Sequence, residues 1–487
     1  MRQDSQWRNL VFYKLNILYL KMNLSRLFIA FALILSVASA DRPNVVFILA
    51  DDMGYGDVGF NGQDKIKTPH LDLLAKNGMI MNGFYAGSTV CGPSRASLMS
   101  GRHTGNCKIR GNPRWTKSGK PIDFTTDDIT LGTVMSKAGY ACGYFGKWAL
   151  NENISVGSGH PNKHGFEEFW GFNTHREAHY HWPRYVWHND KKYDLGGENN
   201  WKDKKIYADD LFTDKALKFI DRHAGHRPFF VFMGYTIPHL GISSPKSSRK
   251  KYEGKGWPSR SLKGSHYHND PDTNISYASM ISHMDDYVGQ LVKTLKKNRI
   301  LNNTLVFFTS DNGHEYDNGF FDSNGVYTGK KRWLKEGGIR VPTMAFWPDK
   351  IKPGIKLELP FAFWDIVPTF AELAGAKPPE GDGISFVPSL KGQKGQKEHD
   401  YLYWEFNERL GPMQAIRFDG NWKAYREWDT KKNNFGAIQI YNLIKDPSEK
   451  NNLASTEAKR SAKANDIFSN ARTENDEFPL LPKKNRK

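Results

Sequence analysis

Four runs along the chain are predominantly apolar, and each ends on polar chemistry. NVVFILA over 44–50 leads into Asp51-Asp52, followed by Gly54 and Gly56. YACGYFG over 140–146 leads into Lys147-Trp148. RPFFVFMGYTI over 227–237 leads into Pro238-His239, and NTLVFFTS over 303–310 into Asp311-Asn312-Gly313. Runs this rich in β-branched and aromatic residues lack the alternation of a half-exposed strand. They predict strands buried on both faces, as in a parallel sheet. Between them the period changes. Over 275–298, Met280, Ile281, Met284, Val288, Leu291, Val292 and Leu295 fall on one helical stripe. Strands alternating with helices predict an α/β fold: a large, mostly parallel β-sheet sandwiched by helices. Sites in such sheets form beyond the carboxyl ends of the strands. The polar groups that close the four runs can therefore converge.

The pattern shifts after about residue 376, through AKPPEGDG and GQKGQKEHD. Short segments follow: YLYWEF (401–406), MQAIRF (413–418), NWKAYRE (421–427) and IQIYNLI (438–444). They predict a smaller C-terminal subdomain built on an antiparallel sheet, with boundaries at 41–390 and 391–487. The tail beyond Pro479 is polar and basic, and is expected to fray. At the other end, Arg26, an apolar run over 27–38 and the small residues Ala38-Ser39-Ala40 make a signal-peptide pattern over 1–40. An uncleaved anchor helix is the alternative. Residues 1–21 lack the pattern, and Met22 offers a second start. The expectation is an exported protein, periplasmic or secreted, with no transmembrane span in the mature chain.

Composition narrows the class. Of 487 residues, 39% are hydrophobic and 13% aromatic, which excludes both a polytopic membrane protein and a mainly disordered chain. Three cysteines allow at most one bridge and exclude a disulfide scaffold. The net charge is +17; the signal region carries five Lys/Arg and one Asp, so +13 remains without it. That excess predicts an anionic partner. No nucleic-acid motif accompanies it.

Asp51, Asp52, Asp311 and Asn312 are hard oxygen donors that suit Ca²⁺, or Mg²⁺, better than Zn²⁺. Taken singly, Asp-Asp and Asp-Asn-Gly are ordinary turn sequences; their shared place at strand ends is what suggests ligands. Cys91 stands in VCGPSRASLMSGR over 90–102. Pro93 suits the first turn of a helix, which places Cys91 at its N-terminus and Arg95 one turn on.

This C-x-P-S-R motif, with G-R after it, closely resembles the signature of the type I, formylglycine-dependent sulfatases, the arylsulfatase-like branch of the alkaline phosphatase superfamily. The likeness extends through ADDMGYGD (50–57), GKW (146–148), PH (238–239), SDNG (310–313), EGGIRVP (336–342) and YNLIKDPSEKNNL (441–453). It implies that a formylglycine-generating maturation enzyme oxidises Cys91, and that the hydrated aldehyde is the nucleophile. It further implies that Asp51, Asp52, Asp311 and Asn312 bind a divalent cation, usually Ca²⁺, which also holds the oxygen at residue 91. Arg95 would orient that group, Lys147 and Lys331 would grip sulfate, and His239 would assist the leaving alcohol. Lys331 is chosen over Lys330 because it lies five residues before Glu336.

One departure stands out. Many members read G-K-W-H, with the histidine acting as base when sulfate is expelled; here Ala149 occupies that place. His160, His164, His179 and His314 are the candidate substitutes. For substrate binding, THREAHYHWPR over 174–184 offers Arg176, His179, His181, Trp182 and Arg184, a mix of flat rings and charged donors suited to a sugar. A run over 246–263 with seven Lys/Arg and one acid follows His239 and could form a basic rim. Together these point to an O-sulfated oligo- or polysaccharide as substrate. The look of the stretch from Asp311 to Gly338 points to a galactose-type 4-sulfate. A phosphodiester or phosphonate hydrolase, and a glycan-binding pseudoenzyme, are the alternatives. The oligomeric state is not legible.

Overall fold

The four apolar runs become the centre of a ten-stranded sheet. The computed structural model describes residues 42–152, 156–196, 202–262, 266–408 and 410–482; the expected signal region and Lys263 lie outside them. Strand Asn44–Ala50 runs parallel between Thr304–Ser310 and Phe229–Gly234, and Ala141–Lys147 runs parallel on the far side of Phe229–Gly234. Ala50 is in register with Ser310, and Leu49 and Gly146 are both in register with Gly234. All four strands thus finish at one level. Glu168–Phe172 continues the parallel set, while Met344–Phe346, Tyr185–His188 and Lys191–Asp194 add antiparallel pairings toward the edges.

The apolar runs have a direct cause. In strand Asn44–Ala50, Val46, Ile48 and Ala50 enter one core while Val45, Phe47 and Leu49 enter another on the opposite face. Helices Pro69–Lys76, Ala208–His223 and Thr273–Lys297 cover the first face, and Cys91–Ser100, Leu131–Lys137 and Ile366–Leu373 the second. With both sides dry, Val45 to Ala50 carry no polar side chain, and the one polar residue, Asn44 at the strand's start, is paired with Thr304. Six residues of the predicted helical stripe are buried in the first core, and Val292 packs partly buried against it.

The C-terminal sheet joins Tyr401–Glu408, Gly411–Phe418, Trp422–Asp429 and Gln439–Asn442 in antiparallel pairs. Its first strand starts ten residues past the expected boundary, and Phe386, Val387 and Leu390 belong to the main core. One side is covered by helix Ala458–Asn470; the other packs on Tyr85, Val90, Leu334, Ile339 and Trp364. Phe478 is buried in the main core, and Asn407 donates to the Pro479 carbonyl at 2.8 Å; of the tail expected to fray, the part past residue 482 lies outside the described residues.

A buried ionic knot ties the two parts together. Lys423 Nζ lies 3.0 Å from Glu336 and 3.1 Å from Glu449, with all three side chains enclosed. Glu336 also accepts from Tyr85 and Arg340. Burial pushes the Glu336 carboxyl up, but Lys423, Arg340 and Arg417 outweigh it and hold it at about 2. Lys423→Met removes the cation that Glu449 and Glu336 share, leaving Glu336 to Arg340, and is expected to cost about 3–5 kcal/mol in denaturant unfolding. A change below about 1 kcal/mol, the range of an exposed pair, would contradict that reading. Because the folded pKa of Glu336 is below its ordinary value, its contribution is present above about pH 4.5 and is lost as pH falls toward 2.

Candidate active site

Asp51 and Asp52 follow directly from strand Asn44–Ala50. Asp51 N–H donates to the Ile237 carbonyl at 2.9 Å, binding two strand ends together. Asp52 adopts a left-handed backbone, φ 63°, which aspartate tolerates better than most residues. Cys91 opens helix Cys91–Ser100, and its Sγ lies 3.2 Å from Asp51 Oδ1 and 3.7 Å from Asp52 Oδ1. One turn on, Arg95 is held by Asp311 Oδ2 (Nε at 3.0 Å, Nη2 at 2.9 Å) and donates from Nη1 to the Lys147 carbonyl at 2.6 Å.

The lysines meet the carboxylates. Lys147 Nζ lies 2.6 Å from Asp51 Oδ2, both fully buried. Lys331 Nζ lies 2.6 Å from Asp52 Oδ2 and 3.0 Å from Glu315. His239 Nε2 lies 3.5 Å from Asp52 Oδ2. Burial alone would raise Asp51; Lys147, His239, Arg95 and Lys331 together hold it well below the usual carboxylate range. Burial and the charge of Asp51 push Asp311 up to about 7 despite Arg95. Three carboxylates and three cations thus share one dry site.

The donors fit a hard divalent cation. Ligand atoms of Asp51, Asp52, Cys91 and His239 all lie within 4.8 Å of one another. Asn312 donates from Nδ2 to Asp52 at 2.8 Å, yet its Oδ1 is buried without a hydrogen-bond partner among the described residues. A buried, unpaired amide oxygen beside two carboxylates is suited to a cation rather than to packing.

The histidines proposed to replace the one missing at Ala149 separate clearly. His160 accepts from Asn162 N–H and packs edge-on against Phe169. His164 bonds the Ser158 carbonyl and lies beside Trp148. Both rings pack on residues of the second core. His314 is buried, and burial lowers its pKa to about 4; its carbonyl accepts from Lys331 N–H at 3.0 Å, on the Lys331 side of the site. His179 stacks on His239, with centroids 5.1 Å apart and planes at 10°, and its Nδ1 meets His266 Nε2 at 2.7 Å.

The segment expected to bind substrate splits. Arg176, Trp182 and Arg184 line a cleft of about 740 Å³, together with Glu152, Tyr180 and His268. Trp182 is mostly core, its indole N–H donating to Ser243. His181 does not line that cleft. It is buried, bonding Thr236 Oγ1 at 3.0 Å and the His239 carbonyl at 3.3 Å, and supports the backbone beneath His239. The basic run also splits. Arg249 pairs with Asp270 and Asp272, and Lys251 with Asp286. Arg260 instead lines a smaller cavity of about 220 Å³ with Glu315, Lys330, Lys331 and Arg332. Tyr267, whose ring lies edge-on to His179 and His239, was not singled out from the sequence. The H-Y-H triplet at 266–268 was the signal.

A mostly parallel α/β sheet with cations, carboxylates and a helix-borne Cys91 at its strand ends defines a hydrolase site for anionic esters. Residues 43–376 match the family model for sulfatases, and 322–469 match the model for the C-terminal region of N-sulphoglucosamine sulphohydrolase. The chain belongs to the sulfatase family and is a sulfuric ester hydrolase. It is 33% identical to the N-acetylgalactosamine-6-sulfatase of Mus musculus over 80% of this chain and 73% of that one. It is 28% identical to the steryl-sulfatase of Homo sapiens over 80% of this chain and 76% of that one. Among solved structures, Ps i-CgsB in complex with k-i-k-neocarrahexaose is 27% identical, with a TM-score of 0.73, covering 91% of this chain and 95% of that one. Among the described residues, no helix is long and apolar enough to cross a membrane.

Proposed function

We propose that this protein is an exported sulfatase that hydrolyses O-sulfate esters of a sulfated carbohydrate. The observation that carries the reading is the meeting of Cys91, Arg95, Lys147, Lys331 and His239 with Asp51, Asp52, Asp311 and Asn312. A Ca²⁺ (or Mg²⁺) held by Asp51, Asp52, Asp311 and Asn312, with formylglycine made from Cys91 by a maturation enzyme, supplies charge neutralisation and an activated oxygen nucleophile. The rest falls to the chain. Arg95 fixes Asp311 and the end of the Lys147 strand. Lys147 and Lys331 offer cations to the sulfate oxygens, where charge grows as the S–O bond breaks. His239 gives the departing sugar oxygen its proton.

The carbohydrate part rests on the cleft of Arg176, Tyr180, Trp182 and Arg184, and on likeness to proteins named for N-acetylgalactosamine 6-sulfate and solved with a neocarrahexaose. These relatives favour a galactose-configured sugar, and position 6 over the 4-position expected from the sequence. The test is sulfate release from defined sulfated oligosaccharides beside matched aryl sulfates and aryl phosphodiesters. Arg176→Ala with Arg184→Ala is expected to raise KM for the oligosaccharide about tenfold or more, the loss of charge-assisted hydrogen bonds, with kcat nearly unchanged. Equal loss on a small aryl sulfate would place the two arginines outside sugar binding.

A further inference from the structure

With Ala149 at the expected place, none of the residues assigned so far serves as base on the nucleophile's side. A different histidine is built there. The Glu152 carboxylate receives two bonds from His175: the backbone N–H at 3.0 Å and the ring Nδ1. A carboxylate only accepts, so Nδ1 carries a proton, and Nε2 is the nitrogen left to act as acceptor in that tautomer. That Nε2 is buried and has no hydrogen-bond partner among the described residues.

Its direction is fixed by Gly92. A Cβ at Gly92 would sit 3.1 Å from His175 Cε1 and 3.2 Å from Nε2. The ring therefore lies against the first turn of the helix, one residue from Cys91, in a space a side chain would crowd. Gly92 N–H is itself tied to Asn112 Oδ1 at 3.1 Å. Both partners of the pair are anchored. Glu152 N–H donates to Asp123 at 2.7 Å, and Glu177 accepts from the N–H groups of Asn173 and Thr174, just before His175. Only 13% of each side chain in the pair is exposed. His239 lies by Asp52 and stacks on His179, whereas His175 sits at Gly92. His239 and His175 thus stand in different surroundings.

We propose that His175, oriented by Glu152, is the proton acceptor for the group on residue 91, taking the part left open by Ala149. The proposal rests on the sulfatase reading above. In the step that frees sulfate, the hydroxyl proton on the matured residue passes to Nε2, and its O–H electron pair becomes the carbonyl bond. The carbon–oxygen bond to sulfate breaks, and that pair leaves with the sulfate. Glu152 steadies the imidazolium; the proton on Nε2 then passes to solvent, and a separate water adds across the carbonyl, its hydroxyl to carbon and its proton to oxygen. His175 is a catalytic residue; Glu152 is a positioning residue, as an acid that orients a base.

The test uses the full chain. His175→Gln should lower kcat by about 10²–10⁴-fold, the usual worth of general acid–base catalysis. Its unfolding midpoint should stay unchanged, as should oligosaccharide affinity measured calorimetrically on unmatured protein still carrying Cys91. Glu152→Gln should give a smaller loss of kcat. Wild-type kcat in His175→Gln, or a fall in affinity that accounts for the whole loss, overturns the proposal while sulfate release by the wild type leaves the function intact. If the wild type releases no sulfate from any ester, the function fails instead. Long-range proton–nitrogen spectra of histidine-labelled protein then still decide the inference. A proton on Nδ1 with bare Nε2 supports it, and a proton on Nε2 overturns it.

Discussion

Cys91→Ala is expected to abolish sulfate release, by about 10⁶-fold, the scale seen when a covalent nucleophile is removed from a hydrolase. The site leaves no substitute. The other two cysteines, Cys107 and Cys142, are buried; Cys107 bonds the Ile109 carbonyl and Cys142 lies in the second core. Neither is bridged, so Cys91 is their only counterpart at a strand-end site. Cys91→Ala should fold as the wild type does, because its thiol touches carboxylates and not the apolar core. Ion chromatography of released sulfate, with the mass of the Cys91 peptide from active wild-type protein, reads the result. Residual activity above about 1% in the alanine variant would contradict a covalent nucleophile of this kind.

Lys147→Met combines two losses. A cation facing the sulfate disappears, worth about 10²–10³-fold in kcat by comparison with single oxyanion donors. Asp51 Oδ2 also loses its partner at 2.6 Å inside a site closed to water. Arg95 Nη2, at 4.0 Å from Asp51, is too far to replace it. Breaking one side of such a buried pair costs about 3–5 kcal/mol. The variant should therefore unfold at markedly lower denaturant and be nearly inactive. Lys147→Arg should not rescue it, because a planar fork does not reproduce the single-point contact of the fully buried Lys147 Nζ with Asp51 Oδ2. An arginine variant with wild-type kcat would show that charge alone matters there.

Much of this site was legible because parallel strands buried on both faces are mostly apolar. The first polar residue after each run then marks the sheet's carboxyl edge, and Asp51, Lys147, His239 and Asp311 were found that way. Register did the rest: Ala50 level with Ser310 brings Asp51 and Asp311 together. Lys331 was chosen over Lys330 by spacing, and the structure puts Lys331 on Asp52 while Lys330 stays exposed. His181 was misread because a loop dense in histidine and aromatics does not say which rings turn inward; Thr236 and the His239 carbonyl draw this one down. His175 and Glu152 were passed over for a similar reason. They come from two loops 23 residues apart with no shared period, and only Gly92, on a third element, shows where the ring points. Arg249 and Lys251 of the basic run went to local pairs with Asp270, Asp272 and Asp286, which a count of charges does not reveal.

The central claim is that matured Cys91, in this carboxylate and lysine site, removes sulfate from a carbohydrate. Ion chromatography of purified, matured protein on galactose-configured oligosaccharides sulfated at position 4 or 6 tests it, with matched aryl phosphodiesters in parallel. The account predicts stoichiometric sulfate from at least one sugar, none from Cys91→Ala, and little turnover of the phosphodiesters. Phosphodiester hydrolysis with no sulfate released from any sugar would contradict it.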